Sequence, residues 1–202
     1  IVVSNQAGRS NILSRLEEYG IKIDSKDPKV QKILDEVKDR EFSGYSYDGA
    51  DASFELLANR LLGKVPEYLK VKSYSVNVTK TDKLKTKANV VFRIDGKDIE
   101  CIGEGNGPVN ALDNAIRSNF KKVEKYYNFF SDLKLLDYKV RILNTGTEAT
   151  TRVLIESTDK SGVSWFTIGV SPNIIEASFR ALIDSLDYKL YKEKAPANLN
   201  EK

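Results

Sequence analysis

The 202-residue chain contains no histidine, no methionine, one cysteine and one tryptophan. Without histidine, neither a Ser-His-Asp triad nor a histidine-ligated catalytic metal can be assembled from these residues. A lone cysteine leaves no disulfide framework, as expected of a protein kept in a reducing cytoplasm. Cys101 has no histidine to activate it, so a packed, inert thiol is expected rather than a nucleophile. No marked carboxylate pair offers acid–base chemistry in its place. No apolar run approaches the ~20 residues that cross a bilayer, and no signal-peptide pattern is present, so no membrane partner is expected. The net charge of +3 is too small to argue for a polyanionic partner. Lys80, Lys83, Lys85 and Lys87 read as a solvated loop rather than a nucleic-acid patch. An opening of Ile1-Val2-Val3 with no methionine anywhere predicts a piece of something longer.

What is present divides into three segments. Residues 1–63 read as helices. Ser10 is expected to cap a segment with Ile12, Leu13, Leu16 and Tyr19 on one stripe, stopped by Gly20. Asp27-Pro28 opens a second helix, with Asp as cap and Pro in the first turn, whose buried face is Val30, Ile33, Leu34 and Val37. A third begins near Asp51, buries Phe54, Leu57, Ala58 and Leu61, and ends at Gly63. None carries a chemical motif, which suits a linker or docking subdomain.

From Val71 the period changes to alternation. "SYSVNV" (73–78), "ANVVFRI" (88–94) and "IECI" (99–102) are strand-like, and Asp95-Gly96 signals a tight hairpin. A helix follows with Val109, Leu112, Ile116, Phe120 and Val123 on its buried stripe. The order then recurs. "DYKVRI" (137–142) matches "SYSVNV", "RVLIES" (152–157) matches "NVVFRI", and "SWFTIGV" (164–170) takes the third place. A helix burying Ile175, Phe179, Leu182 and Leu186 closes the set. Gly103 and Gly169, Ala111 and Ala177, and Ala115 and Ala181 share one offset of 66 residues. The expected fold class is therefore α+β: a helical linker subdomain (1–63), then a duplicated βββα domain (64–194) with pseudo-twofold symmetry. Its units are 71–130 and 137–194, and a frayed tail (195–202) is expected beyond them.

"GEGNGPVNALDNAI" (103–116) concentrates three glycines between a strand and a helix start. A helix N-terminus carries unpaired N–H groups and about half a positive charge, which suits a carboxylate or phosphate. The G-x-G-x-G-P spacing and the antiparallel setting do not fit a dinucleotide fingerprint, and no Gly-Lys-Ser/Thr follows for a P-loop. Two readings stay open: glycines required only for a tight turn, and capture of a carboxylate by that turn. The alanine pairs likewise suit either plain core packing or a helix–helix or dimer contact.

"GNGPVNALDNAI" (105–116), "RVLIES" and "GVSPNIIEASFRALIDSLDYKL" (169–190) together resemble the C-terminal regulatory domain of the α-isopropylmalate synthase and citramalate synthase family. "SNQAGRSNIL" (4–13) and "GADASFELL" (49–57) resemble the linker of its citramalate synthase branch. In that family a TIM barrel condenses acetyl-CoA with a 2-oxo acid on a divalent metal held by Asp and a His-x-His pair. The resemblance implies that metal, acetyl-CoA and barrel belong outside this chain, which is non-catalytic by itself. Gln6 stands where relatives often carry a histidine. The family's regulatory domain is a dimer of βββα pairs that binds the end-product amino acid and inhibits the barrel. Carried over, Gly105, Gly107, Pro108, Val109 and Asn110 frame the carboxylate turn, and Leu135, Tyr138 and Ile142 form the pocket wall. Tyr138 alternatively packs across strands. A backbone carbonyl, Asn110 or Asp113 are the candidates for the effector's ammonium. Bulky Leu135 and Ile142 favour isoleucine over leucine, and so feedback control of a citramalate synthase that condenses acetyl-CoA with pyruvate. A leucine-sensing isopropylmalate synthase domain and a purely structural dimerisation domain are the alternatives. An RNA-binding βββα protein is disfavoured because no aromatic pair marks a sheet surface.

Overall fold

A computed structural model describes residues 5–143 and 149–199; Ser4 and the tail residues 200–202 of the sequence reading lie outside them. Three helices lead: α1 (Asn5–Glu18), α2 (Pro28–Phe42) and α3 (Asp51–Leu61). Asp27 caps α2 by accepting from the Lys29 amide at 2.8 Å, with Pro28 in the first turn. Val30, Ile33, Leu34 and Val37 are buried as their spacing predicts. Gly20 and Gly63 each take a positive φ of 70° after their helices, where a side chain would be strained. Ser10 does not cap α1: the helix already starts at Asn5 and carries Ser10 inside it. The extension is fixed from outside, by Arg9 donating to the Ser25 carbonyl at 2.9 Å and to Gln31 Oε1 at 3.1 Å.

Two three-stranded antiparallel sheets follow. The first joins β1 (Lys70–Lys80), β2 (Leu84–Ile94) and β3 (Lys97–Gly105) in that order, and the second β4 (Lys134–Ile142), β5 (Thr151–Thr158) and β6 (Ser164–Ser171). Ile94 faces Lys97 across a two-residue turn in which Asp95 and Gly96 have φ of 50° and 76°, the hairpin the sequence announced. Lys85 and Lys87 sit on β2 itself, exposed to solvent. Each outer strand carries a register shift near its start, between Val71 and Ser73 in β1 and between Leu135 and Asp137 in β4. These shifts fix the correspondence of the units. Tyr74 faces Val90 and Tyr138 faces Ile155, so β5 matches β2 two residues further along than the pairing of "RVLIES" with "NVVFRI" implies. A slip of two keeps every side chain on its face, which is why the sequence pattern alone did not detect it.

Helix α4 (Pro108–Ser118) lies on β2 and β3, and α6 (Ile174–Lys192) on β5 and β6. The first helix is shorter than its apolar stripe predicts. Asn119 turns its amide back to the carbonyls of Ala115 and Ile102 at 2.7 and 2.9 Å, competing with the helical ladder. Phe120 and Val123 are still buried, but from a 3₁₀ turn (Phe120–Lys122) and the loop after it; the short helix α5 (Tyr127–Phe130) then leads into β4.

Helix α3 buries eight consecutive residues, Ala52–Asn59, because it lies wedged against β6 and α6. Ser53 Oγ accepts the free edge amide of Ile168 and donates to Asp184 Oδ2, both at 2.9 Å. Arg60 bridges Asp184 and Asp187 at 2.7 Å each. Ile168 and Val170 of β6 join the core of the helical segment, so the second sheet is held from the side opposite α6. The tail does not fray over residues 195–199. Asn198 is 7% exposed, donates through Nδ2 to the Arg93 carbonyl and accepts the Asp95 amide, both at 2.8 Å. It thereby closes the first hairpin, and Tyr126 donates to the Pro196 carbonyl at 2.9 Å beside it.

Candidate functional site

The three glycines of the turn do different jobs. A β-carbon at Gly103 would run into the backbone of Ala115, and one at Gly105 into Ala111 and Asn110. Both glycines therefore let α4 lie directly on β3, and Gly169 does the same for α6 against Ala177. Gly107 is different: it is extended (φ −166°, ψ 176°) and a β-carbon there would meet nothing within 4 Å. It is the N-cap of α4, and no side chain accepts the first amides of that helix.

The corresponding position in the second unit, 66 residues on, is Asn173. There the side chain accepts the Ile175 and Glu176 amides at 2.9 and 3.3 Å, closing the helix end upon itself. Pro108 begins α4, Val109 is buried beneath it, and exposed Asn110 folds back to accept the Asn106 amide at 3.1 Å and Asn114 Nδ2 at 3.4 Å.

The proposed wall residues lie on β4. Tyr138 and Ile142 face Ile155 and Thr151 across the strand pair, so they project from the same side of the sheet as the core. Ile155 is fully buried, yet Tyr138 is 46% and Ile142 67% exposed, because α6 covers β5 and β6 but stops short of β4. Val140 between them is exposed too, leaving an open apolar strip. Leu135, at the start of the strand, is half-buried and lines a small void with Asp113, Ile116 and Arg117 of α4. The structure thus brings Leu135 to α4 and leaves Tyr138 and Ile142 on an open face. Sequence reasoning did not place Arg117, whose ion pair with Asp113 sits on this wall. Its position one turn after Asp113 on the α4 stripe was the available signal. Burial raises the Asp113 carboxyl above the ordinary carboxylate range, against the opposing pull of Arg117.

A cleft of 940 Å³ opens elsewhere, at the other helix end, between Arg40 of α2, Val71 of β1 and Glu176, Phe179 and Arg180 of α6. Several of its charges are paired: Arg40 holds Glu36 and Arg180 holds Glu176, both at 2.6 Å, and Arg60 holds Asp184. Phe179 on its wall is stacked on Tyr74 of β1, with ring centroids 4.0 Å apart. Volume alone therefore does not favour it over the glycine turn.

Residues 48–190 match the family described as the LeuA allosteric (dimerisation) domain. The chain belongs to that family. The matched span starts ahead of α3, so it includes the helix wedged against β6. Among individual relatives, an (R)-citramalate synthase of Geobacter sulfurreducens is 47% identical over 199 residues, covering 96% of this chain and 37% of that protein. One from Aquifex aeolicus is 46% identical over the same shares. A 2-isopropylmalate synthase of Aquifex aeolicus is 29% identical over 96% of this chain and 35% of its own length. This LeuA-family chain spans little more than a third of the curated relatives it matches. Among the described residues, no helix is long and apolar enough to cross a membrane.

Proposed function

We propose that this chain is the effector-sensing part of an (R)-citramalate synthase, binding a branched-chain amino acid, isoleucine in preference to leucine, and inhibiting a catalytic barrel elsewhere in the same protein. The observation that carries this reading is the contrast between Gly107 and Asn173. One helix end satisfies its own amides, and the other leaves them without a side-chain cap. Bare first-turn amides suit the carboxylate. Leu135, Tyr138 and Ile142 suit the side chain. A second copy of the chain, related to the first as a homodimer, covers the exposed strip of β4 and closes the site. The two units would then be related by a pseudo-twofold axis within each copy. The higher identity to citramalate synthases than to the isopropylmalate synthase favours isoleucine as the end product sensed. In this scheme metal, acetyl-CoA and pyruvate act only in the barrel.

Calorimetry on the purified chain tests the reading. Heat with L-isoleucine at lower concentration than with L-leucine is expected, and the reverse order points to a leucine-sensing isopropylmalate synthase domain. A dimer in sedimentation with no heat from either amino acid leaves a purely architectural role.

A further inference from the structure

The segment after α6 touches three parts of the fold at once. It leaves the helix through Lys194, whose φ of 55° turns the backbone aside. Ala195 donates back to the Leu190 carbonyl at 2.9 Å and is buried in the core that both units share. The Pro196 carbonyl accepts the Tyr126 hydroxyl at 2.9 Å, and the Ala197 carbonyl accepts Lys125 Nζ at 2.5 Å. Asn198 spends its carboxamide on the first hairpin, and its own amide donates to the Glu67 carbonyl at 2.8 Å. The Leu199 amide donates to Asp95 Oδ1 at 2.7 Å, on a carboxylate that Lys125 also holds. Every residue from 195 to 199 is thus fastened. These contacts lie past residue 190, where the family match stops.

Glu67 belongs to the connector 62–69, which joins α3 to β1. The connector is held at both ends. At its start, α3 is tied to α6 and β6 through Ser53 and Arg60. Near its other end, Tyr68 is 2% exposed and meets the ring of Tyr126 edge-on, with centroids 6.3 Å apart. Tyr126 is also the residue whose hydroxyl holds Pro196, so the segment after α6 closes over the connector from outside. Its grip is polar. Ala195 is the one buried apolar side chain among 195–199, and Leu199 is 68% exposed. A surface segment held by hydrogen bonds, with little apolar area beneath it, belongs to the part of a fold that opens most readily.

We propose that residues 195–199 are a latch on the connector, and that this latch and the Ser53 joint act together to set how the helical segment stands against the two βββα units. The latch opens without unfolding either unit. Opening releases Glu67 and the Tyr126 hydroxyl, leaves the connector pinned by Tyr68, and so loosens α3 on β6. Asn198 is the catch, because a carboxamide can donate to Arg93 and accept from Asp95 with one side chain. No ligand enters the proposal, so its failure leaves the effector reading standing.

Amide exchange followed by NMR, on the chain and three variants, tests it. In the wild type the amides of Asp95, Asn198 and Leu199 are expected to exchange together, at least tenfold faster than that of Ile155 in the centre of the second sheet. Asn198→Ala is expected to speed exchange at least tenfold at Asp95 and Leu199. It should also speed exchange at least threefold at Ile168, whose amide is bonded to Ser53, with Ile155 unchanged. Asn198→Asp keeps the acceptor and loses the donor, and is expected to act in the same direction should Asn198→Ala not fold. Leu199→Ala keeps its backbone donor and is expected to match the wild type throughout. Three results overturn the latch: wild-type latch amides that exchange within tenfold of Ile155, an Ile168 rate raised less than threefold once Asn198 is changed, or a Leu199→Ala effect as large as that of Asn198→Ala. The second of these leaves a local fastener with no reach to α3.

Discussion

Ser53 and Asp184 lie 131 positions apart in sequence, and the hydroxyl of one donates to the carboxylate of the other at 2.9 Å. The same hydroxyl accepts the edge amide of Ile168, so one side chain joins α3, β6 and α6. Ser53→Ala leaves a buried backbone N–H without an acceptor, which costs about 1–3 kcal/mol. Urea titration should show a lower midpoint with an unchanged slope. A midpoint equal to wild type would mean that the bond adds nothing to the joint.

Gly103 touches the Ala115 backbone where a methyl group cannot fit. Gly103→Ala is therefore expected to push α4 off β3 and to lower stability by about 1–3 kcal/mol, as overpacking does. Gly107→Ala, at an open position, should cost far less. Comparing the two melting temperatures checks the division of labour within one glycine turn.

Gly107→Asn copies Asn173 into the first unit. Its β-carbon meets no neighbour, and an N-cap side chain should stabilise α4 by a few tenths of a kcal/mol. The same side chain competes with a carboxylate for the first amides. Isoleucine affinity is expected to fall at least about tenfold while the melting temperature rises. Rising stability with unchanged affinity would move the carboxylate site elsewhere.

Asp187 is partly buried at the joint of α3 and α6, where it pairs with Arg60 beside Asp184. Burial pushes its carboxyl from 3.8 up to about 7, in spite of Arg60. Its folded pKa lies above its unfolded one, so the folded state binds the proton more tightly. This group's contribution to stability is fully present below pH ~4 and is lost as pH rises toward 7. Asp187→Asn should remove that loss. Urea midpoints of variant and wild type should differ in the variant's favour more at pH 8 than at pH 5, and a constant difference would contradict the assignment.

Much of the fold was legible because it depends on local rules. Asp27-Pro28, Asp95-Gly96 and the 66-residue repeat each specify a backbone geometry within a few residues. What escaped depended on distant partners. Asn119 ends α4 because the Ile102 carbonyl waits across the sheet, and no pattern around residue 119 reports it. Asn198 docks because it fits the hairpin at Asp95, more than a hundred positions away. The site was legible in part for the same reason. The glycine turn is a local motif, but its three glycines look alike in sequence, and only the approach of α4 separates Gly103 and Gly105 from Gly107. The exposure of Tyr138 and Ile142 follows from how far α6 reaches, which alternation along β4 does not encode.

Trp165, the only tryptophan of the chain, donates from its indole nitrogen to Ser185 Oγ at 3.2 Å. Ser185 shares a further hydrogen bond with Ser157 at 2.6 Å, and both serines border the void beside Asp113 and Leu135. The molecule therefore comes with an optical reporter wired to the floor of its candidate pocket. If the proposed effector seats against that floor, it would disturb the hydrogen bond of a single indole, and its emission should follow occupancy with no dye attached.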